Sequence, residues 1–233
     1  MKALIFCGGR GTRYNKSSTK LLKPLVKIKN ISVLERIIIF FEKYGIDDFI
    51  LMGGYKFNDL EQFSKKFKNI RVRAIFTGVD TPTAGRLRKV KKYLNKNENF
   101  FLTYGDSIIE YNLKNIINKK KKTNNYYVCS YKYQLPYGIF DVSKESSVQK
   151  LSEKKISFQI NSGFYFLDTR IFNFIKSNNE TFEKEVVKRL IKSNINLDIV
   201  KIKNWMPMDN IIDKYAIEKK LESSTVFNTN RKL

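Results

Sequence analysis

Lys2-Ala3-Leu4-Ile5-Phe6-Cys7-Gly8-Gly9-Arg10-Gly11-Thr12-Arg13 is the stretch that decides the fold class. Lys2–Phe6 is apolar at every position after the lysine, the pattern of a strand buried on both faces. It breaks into a loop, Gly8–Tyr14, whose glycines let backbone N–H groups approach a phosphate closely. A strand running straight into a glycine turn is not a signal peptide.

Outward from this unit the pattern repeats. Strands are predicted at Phe49–Met52, Ile70–Phe76, Phe100–Tyr104 and Tyr126–Tyr131. Between them lie helical patterns at Val33–Tyr44, ended by Gly45, at Asn58–Phe67 with Asn58 as cap, at Gly85–Leu94 and at Leu113–Lys121. Fourfold strand–helix alternation predicts an α/β fold with three layers. The rhythm then changes. Short strands are predicted at Tyr137–Val142, Val148–Ser152, Ser162–Leu167 and Asp198–Lys201, with helices at Phe182–Ser193 and Ile211–Glu222. No Pro/Gly linker and no repeat divides the chain. The expectation is one domain over 1–222, with halves 1–131 and 132–222, and a flexible tail, 223–233.

The composition excludes much chemistry. Among 233 residues there are 45 Lys plus Arg, 22 Asp plus Glu and no His, for a net charge of +23. Without His there is no Ser-His-Asp or Cys-His triad and no His metal ligand. Two cysteines, Cys7 and Cys129, are too few for a structural zinc site or a disulfide framework. No apolar run reaches the roughly 18 residues of a membrane span, so the expectation is a cytoplasmic protein with no membrane partner. Lys outnumbers Arg 35 to 10 and is spread along the whole chain. There is no RNP-type motif and no helix-turn-helix pattern, so no dedicated nucleic-acid role is expected. The charge suits an anionic small molecule.

The candidate chemistry follows. Gly9-x-Gly11 lacks the third glycine of a dinucleotide loop, since position 14 is Tyr, and no Gly-Lys-Ser/Thr makes it a Walker A loop. Arg13 inside the loop and Lys23-Pro24 ten residues on place two cations beside it. Asp106 ends an apolar strand in a glycine turn, where ligands bind in open α/β sheets. Asp209 follows Trp205-Met206-Pro207-Met208 and opens a helix, so capping is its alternative role. Two carboxylates without His suit a hard Mg²⁺ that also holds phosphate oxygens.

Gly8-Gly9-x-Gly11-Thr12-Arg13 with Lys23-Pro24 resembles the G-G-x-G-T-R-L … P-K-P signature of the sugar-phosphate nucleotidyltransferases, departing at Tyr14 and Leu22. The resemblance continues in order through Thr77-Gly78 … Thr83-x-Gly85-Arg86-Leu87, Thr103-Tyr104-Gly105-Asp106, Tyr137-Gly138, Glu153-Lys154, Asn161-Ser162-Gly163-Phe164 and Trp205-x-Pro207-Met208-Asp209. T-Y-G-D and W-x-P-M-D point to the glucose-1-phosphate cytidylyltransferase branch.

The resemblance implies a Rossmann-like nucleotidyltransferase fold with a mostly parallel mixed sheet. It implies transfer of CMP from CTP to a phosphorylated acceptor with loss of pyrophosphate, in surface polysaccharide biosynthesis. A phosphate monoester is already an anionic nucleophile, so no general base is needed and the missing His costs nothing. By the same resemblance Arg13 and Lys23 are catalytic. Cys7, Gly8, Gly9, Gly11, Thr12, Thr83, Arg86 and Gly105 bind the nucleotide, Arg86 as a phosphate contact. Lys154, Asn161 and Glu183 bind the acceptor, with Glu185 a weaker candidate; for both glutamates the alternative is an exposed helix start. Asp106 and Asp209 hold Mg²⁺. A stretch that the family carries before its T-G segment is missing here, which leaves two acceptors open. One is a sugar 1-phosphate; the other is a smaller compound such as phosphocholine or phosphoglutamine. Use of another NTP, or a basic nucleic-acid-binding role, are the remaining alternatives.

Overall fold

A computed structural model describes residues 1–11, 21–135, 137–153 and 156–223. In chain order the first half contains β1 (Lys2–Phe6), the hairpin β2 (Lys27–Ile28) and β3 (Ile31–Ser32), α1 (Val33–Glu42), β4 (Asp48–Gly53), α2 (Phe57–Ser64), β5 (Arg71–Phe76), α3 (Thr83–Lys89), β6 (Asn99–Tyr104), β7 (Ser107–Glu110) and α4 (Leu113–Lys122). The rest is β8 (Tyr126–Gln134), β9 (Ile139–Val142), β10 (Val148–Ser152), β11 (Ser157–Asp168), a π-helical turn at Phe182–Val187, α5 (Lys188–Ile191), β12 (Leu197–Ile202), β13 (Asn204–Pro207) and α6 (Ile211–Ser223).

Seven strands form the central sheet in the order β12-β8-β11-β6-β1-β4-β5. β1 lies parallel to both β4 and β6, β4 to β5, and β12 to β8. β11 alone runs against its neighbours, β6 and β8. The sheet is therefore mixed and mostly parallel, as expected. Side chains alternate across the pleat, so β1 sends Ala3 and Ile5 to one apolar layer and Leu4 and Phe6 to the other. Leu34, Ile38 and Phe41 of α1, Leu60 of α2 and Ile116 of α4 cover the first face. Ala84 and Leu87 of α3, with Phe182, Val186 and Leu190, cover the second. This makes three layers, and the continuous apolar run of β1 is explained by cover on both sides.

Several predicted bounds shift. α2 begins at Phe57 rather than Asn58, and its cap position is Lys56 in a left-handed conformation (φ 51°) with no side-chain bond. The cause is packing: the Phe57 ring lies on Gly53, where a Cβ would meet it at 2.6 Å. The single basic helix expected at Gly85–Leu94 is instead α3, ending at Lys89, and a 3-10 turn at Lys91–Tyr93. The helix expected at Phe182–Ser193 opens with the π turn and becomes α-helical only at Lys188. β7, β13 and the β2–β3 hairpin were not foreseen. The division expected at 131/132 falls inside β8, which pairs on both sides. Of the expected tail, Ser223 ends α6 and 224–233 lie outside the described residues.

Candidate functional site

Everything converges on the carboxyl ends of β1, β4 and β6. Past β1, the Cys7 N–H donates to Met52 O (2.9 Å), and Gly8 O accepts from Tyr55 N (3.3 Å). Past β6, the Gly105 N–H donates to Phe6 O (3.0 Å). A Cβ at Gly105 would lie 3.1 Å from both Cys7 Sγ and Pro24 Cγ, so a side chain there would press on both.

Asp106 and Asp209 are brought together by two strands that pattern reading missed. β7 and β13 pair antiparallel with Ser107 opposite Pro207. The Met208 N–H then donates to Asp106 O at 2.9 Å, and Asp209 stands one residue beyond. Asp209 does not cap α6. Asn210 does: its Oδ1 accepts from the N–H groups of Ile212 (2.8 Å) and Asp213 (3.0 Å), while Asp213 Oδ2 accepts from those of Asn210 (3.0 Å) and Asp209 (2.7 Å). This reciprocal cap satisfies the helix start without the Asp209 side chain.

Lys23 stands between the two carboxylates. It opens a 3-10 turn with Pro24, both buried. Its Nζ donates to Asp106 Oδ2 at 2.7 Å and to Asp209 Oδ1 at 2.9 Å. Burial pulls its pKa down, but the two carboxylates outweigh that and hold it above the ordinary lysine value. One ammonium reaching both acids shows that they converge on a single point. Two acids with open space beside them suit a Mg²⁺ that takes its remaining ligands from phosphates and water. Among the described residues no cluster of three or more acids, Cys and His would form an all-protein cage. Cys7, 1% exposed, lies beside Asp106, and burial reinforced by that carboxylate pushes its thiol far above the thiolate range. It is no nucleophile.

Two pockets meet at these acids. The first, about 420 Å³, is lined by Cys7, Gly8, Gly9, Gly11, Lys23, Thr81, Thr83 and Arg86 among others. The second, about 280 Å³, is lined by Ser107, Asn161, Ser162, Gly163, Glu183 and Trp205. Tyr104, Asp106 and Asp209 line both.

Arg86 differs from the expectation of a phosphate contact. It is 5% exposed, and its two terminal nitrogens donate to the carbonyl oxygens of Gly8, Gly53, Gly78 and Val79 and to Thr77 Oγ1, at 2.8–3.1 Å. The guanidinium ties three loops together and is spent on the protein's own oxygens. It also explains two glycines: a Cβ at Gly8 would come within 2.0 Å of Arg86 Nη1, and one at Gly54 within 2.5 Å. Thr83 Oγ1 accepts from the Phe182 N–H at 2.7 Å and so fastens the first pocket to the π turn.

In the second pocket Glu183 Oε1 accepts from Tyr104 Oη at 2.5 Å and from Tyr165 Oη at 3.4 Å. Burial, with Glu183 adding to it, raises the Tyr104 phenol well above its ordinary value, so it stays a donor. Asn161 Nδ2 donates to Tyr165 Oη, and its Oδ1 accepts from Gly163 N at 2.9 Å. Glu185 is elsewhere. Its Oε2 accepts from Thr181 N (2.7 Å) and Oγ1 (2.6 Å), which makes it part of the helix cap. The helix-start alternative therefore holds for Glu185, whereas Glu183 faces the pocket. Tyr165 was missed because it reads as one more aromatic of a core strand. Thr12, Arg13 and Lys154 lie outside the described residues.

Comparison with known proteins agrees with this architecture. The family model described as nucleotidyl transferase matches residues 2–223. The chain belongs to the nucleotidyl transferase family. A probable glucose-1-phosphate cytidylyltransferase of Bacillus subtilis is 31% identical over 223 residues, covering 82% of this chain and 85% of the relative. A D-glycero-alpha-D-manno-heptose 1-phosphate guanylyltransferase of Campylobacter jejuni is 30% identical over 201 residues, covering 82% and 88%. HddC of Yersinia pseudotuberculosis, solved in complex with GMP-PN, superposes with a TM-score of 0.73 at 24% identity over 94% of this chain and 99% of that one, a likeness of fold. For a nucleotidyltransferase the two joined pockets have a plain use, because its reaction brings two substrates to one phosphorus atom. No helix among the described residues is long and apolar enough to cross a membrane.

Proposed function

We propose that this nucleotidyltransferase moves CMP from CTP onto a sugar 1-phosphate and releases pyrophosphate. The observation that carries the reading is that the two pockets share Asp106 and Asp209, with Lys23 between the two acids. CTP occupies the first pocket. The pocket's glycine and carbonyl walls, held by Arg86, set its shape. The acceptor occupies the second, where Glu183 keeps one oxygen open to a hydroxyl donor and Asn161 and Ser162 add polar edges. The lining acids Asp106, Glu183 and Asp209 favour a ligand rich in hydroxyl donors. An acceptor phosphate oxygen attacks the α-phosphorus in line as the pyrophosphate oxygen departs, and no proton has to be removed. Positioning and charge neutralisation supply the rate.

Asp106 and Asp209 are the residues that would hold Mg²⁺, which supplies positive charge to the α-phosphate when bound. Lys23, which lines the first pocket, would offer its ammonium to triphosphate oxygens. By family resemblance Arg13 and the Thr12 loop hold the triphosphate, and Lys154 the acceptor phosphate. The choice of CTP rests on the cytidylyl motifs and on the Bacillus relative. A second reading, GTP as donor, is favoured by the Campylobacter relative. Pyrophosphate release from CTP, GTP, dTTP and ATP, each with glucose 1-phosphate, other sugar 1-phosphates and phosphocholine, tests both. The fastest turnover is expected with CTP and a sugar 1-phosphate. Faster turnover with phosphocholine overturns the acceptor, and faster turnover with GTP overturns the donor.

A further inference from the structure

A further cavity lies away from the transfer centre. It is a groove of about 760 Å³ between the end of α3, the turn that follows it and the 3-10 segment Thr169–Phe174. Arg88, Lys89, Lys91, Lys92, Lys96 and Arg170 line it, and no acidic side chain does. Arg170 is neutralised by Asp168 at 2.6 Å. Arg88, Lys91, Lys92 and Lys96 have no carboxylate partner among the described residues. Lys91 and Lys92 rest on the rings of Phe172 (5.6 Å) and Tyr93 (5.3 Å), which positions each ammonium without cancelling its charge. Other cations are held by acids, as Lys2–Glu98, Arg73–Asp48 and Arg189–Glu180 show. Four uncompensated cations along one concave wall repel each other until an anion enters.

The groove is joined to the first pocket. Lys89 lines it, and its Nζ donates to Thr77 O (2.7 Å) and Thr81 Oγ1 (3.1 Å), while Thr81 lines the first pocket. α3 spans only seven residues, with Thr83 at the first pocket and Lys89 at the groove.

We propose that this groove is a second anion site, which binds a small polyphosphate-bearing anion and, through Lys89 and the Thr77–Thr83 loop, alters nucleotide affinity at the first pocket. The groove is open to solvent and of ligand size, and its cations cluster within nine residues, which fits a compact multiply charged ligand better than a long backbone. A nucleoside triphosphate and inorganic polyphosphate share that chemistry. The coupling rests on the proposed nucleotide pocket; the groove site itself does not.

Titration calorimetry with inorganic tripolyphosphate on the full chain, at about 0.15 M salt where weak surface pairing is screened, tests the site. The wild type is expected to show two binding events, one of which is lost in the Lys91→Ala/Lys92→Ala/Lys96→Ala variant. Tripolyphosphate should also change amide exchange across Thr77–Thr83 more in the wild type than in the variant, which keeps only the event at the first pocket. Competition by CTP at concentrations below those of tripolyphosphate assigns the site to nucleotides; the reverse assigns it to inorganic polyphosphate. The same stoichiometry and Kd in both proteins overturn the proposal. So does a single-stranded RNA oligomer that binds at least tenfold tighter than tripolyphosphate and is lost in the variant, which gives the groove to nucleic acid. If the nucleotide reading alone fails, the wild type shows one event and the variant none.

Discussion

The two pockets share three residues and are built in opposite ways. The first is walled by backbone: glycines, strand-end carbonyls and the Arg86 knot that orients them. The second is walled by side chains from four elements: Tyr104 of β6, Asn161 of β11, Glu183 of the π turn and Trp205 of β13. A backbone wall follows from packing, and one outward substitution does not reshape it. A side-chain wall is retuned residue by residue. Acceptor choice is therefore expected to be set in the second pocket, and nucleotide binding to depend on packing behind the first.

Four substitutions test that contrast. Lys23→Met, at the ridge common to both pockets, should cut kcat by about 10³-fold, the scale of a lost transition-state charge partner; steady-state pyrophosphate release checks it. Asp168→Asn lies in neither pocket. Asp168 pairs with Lys120 at 2.9 Å, both nearly fully buried, and with Arg170. Burial pushes its carboxyl up, but the bonds from Arg170 and Lys120 overcome this and hold it far below the usual range. Its stabilisation is thus present above the unfolded value near 3.8 and lost as pH falls further. The substitution should cost about 3 kcal/mol in urea unfolding at pH 7, progressively less as pH falls below about 3.8, and leave both substrate KM values unchanged.

Gly8→Ala drives a methyl into Arg86. It should cost about 2 kcal/mol and raise the nucleotide KM without changing the acceptor KM. Glu183→Gln should do the reverse, with an acceptor KM about tenfold higher, or about 1.4 kcal/mol, and an unchanged nucleotide KM. An equal effect of either change on both substrates would erase the distinction between the pockets.

The parallel part of the fold was legible because β1, β4 and β6 are mostly apolar and lead into glycine turns. Lys23, Asp106 and Asp209 were legible because motif order placed them, yet their meeting depends on β7 pairing with β13, 97 positions apart (Ser107 to Asn204) and too short to carry a periodic signal. Arg86 reads from its motif as a phosphate contact at a helix start. Local sequence does not show that Gly8, Gly53 and Gly78 fold around it. Glu183 and Glu185 look alike two residues apart, and only the π turn sends one to the pocket and the other to Thr181.

One pair of acids, Asp106 and Asp209, lines both pockets. Single-turnover CMP transfer by Asp106→Asn, Asp209→Asn and the double variant, each confirmed folded by its unfolding transition, tests their shared role most directly. Either single change is expected to cost at least about 10²-fold, with little further loss in the double, since residues acting as a unit are not additive. Wild-type transfer by either single variant, with the same metal requirement, would contradict that role.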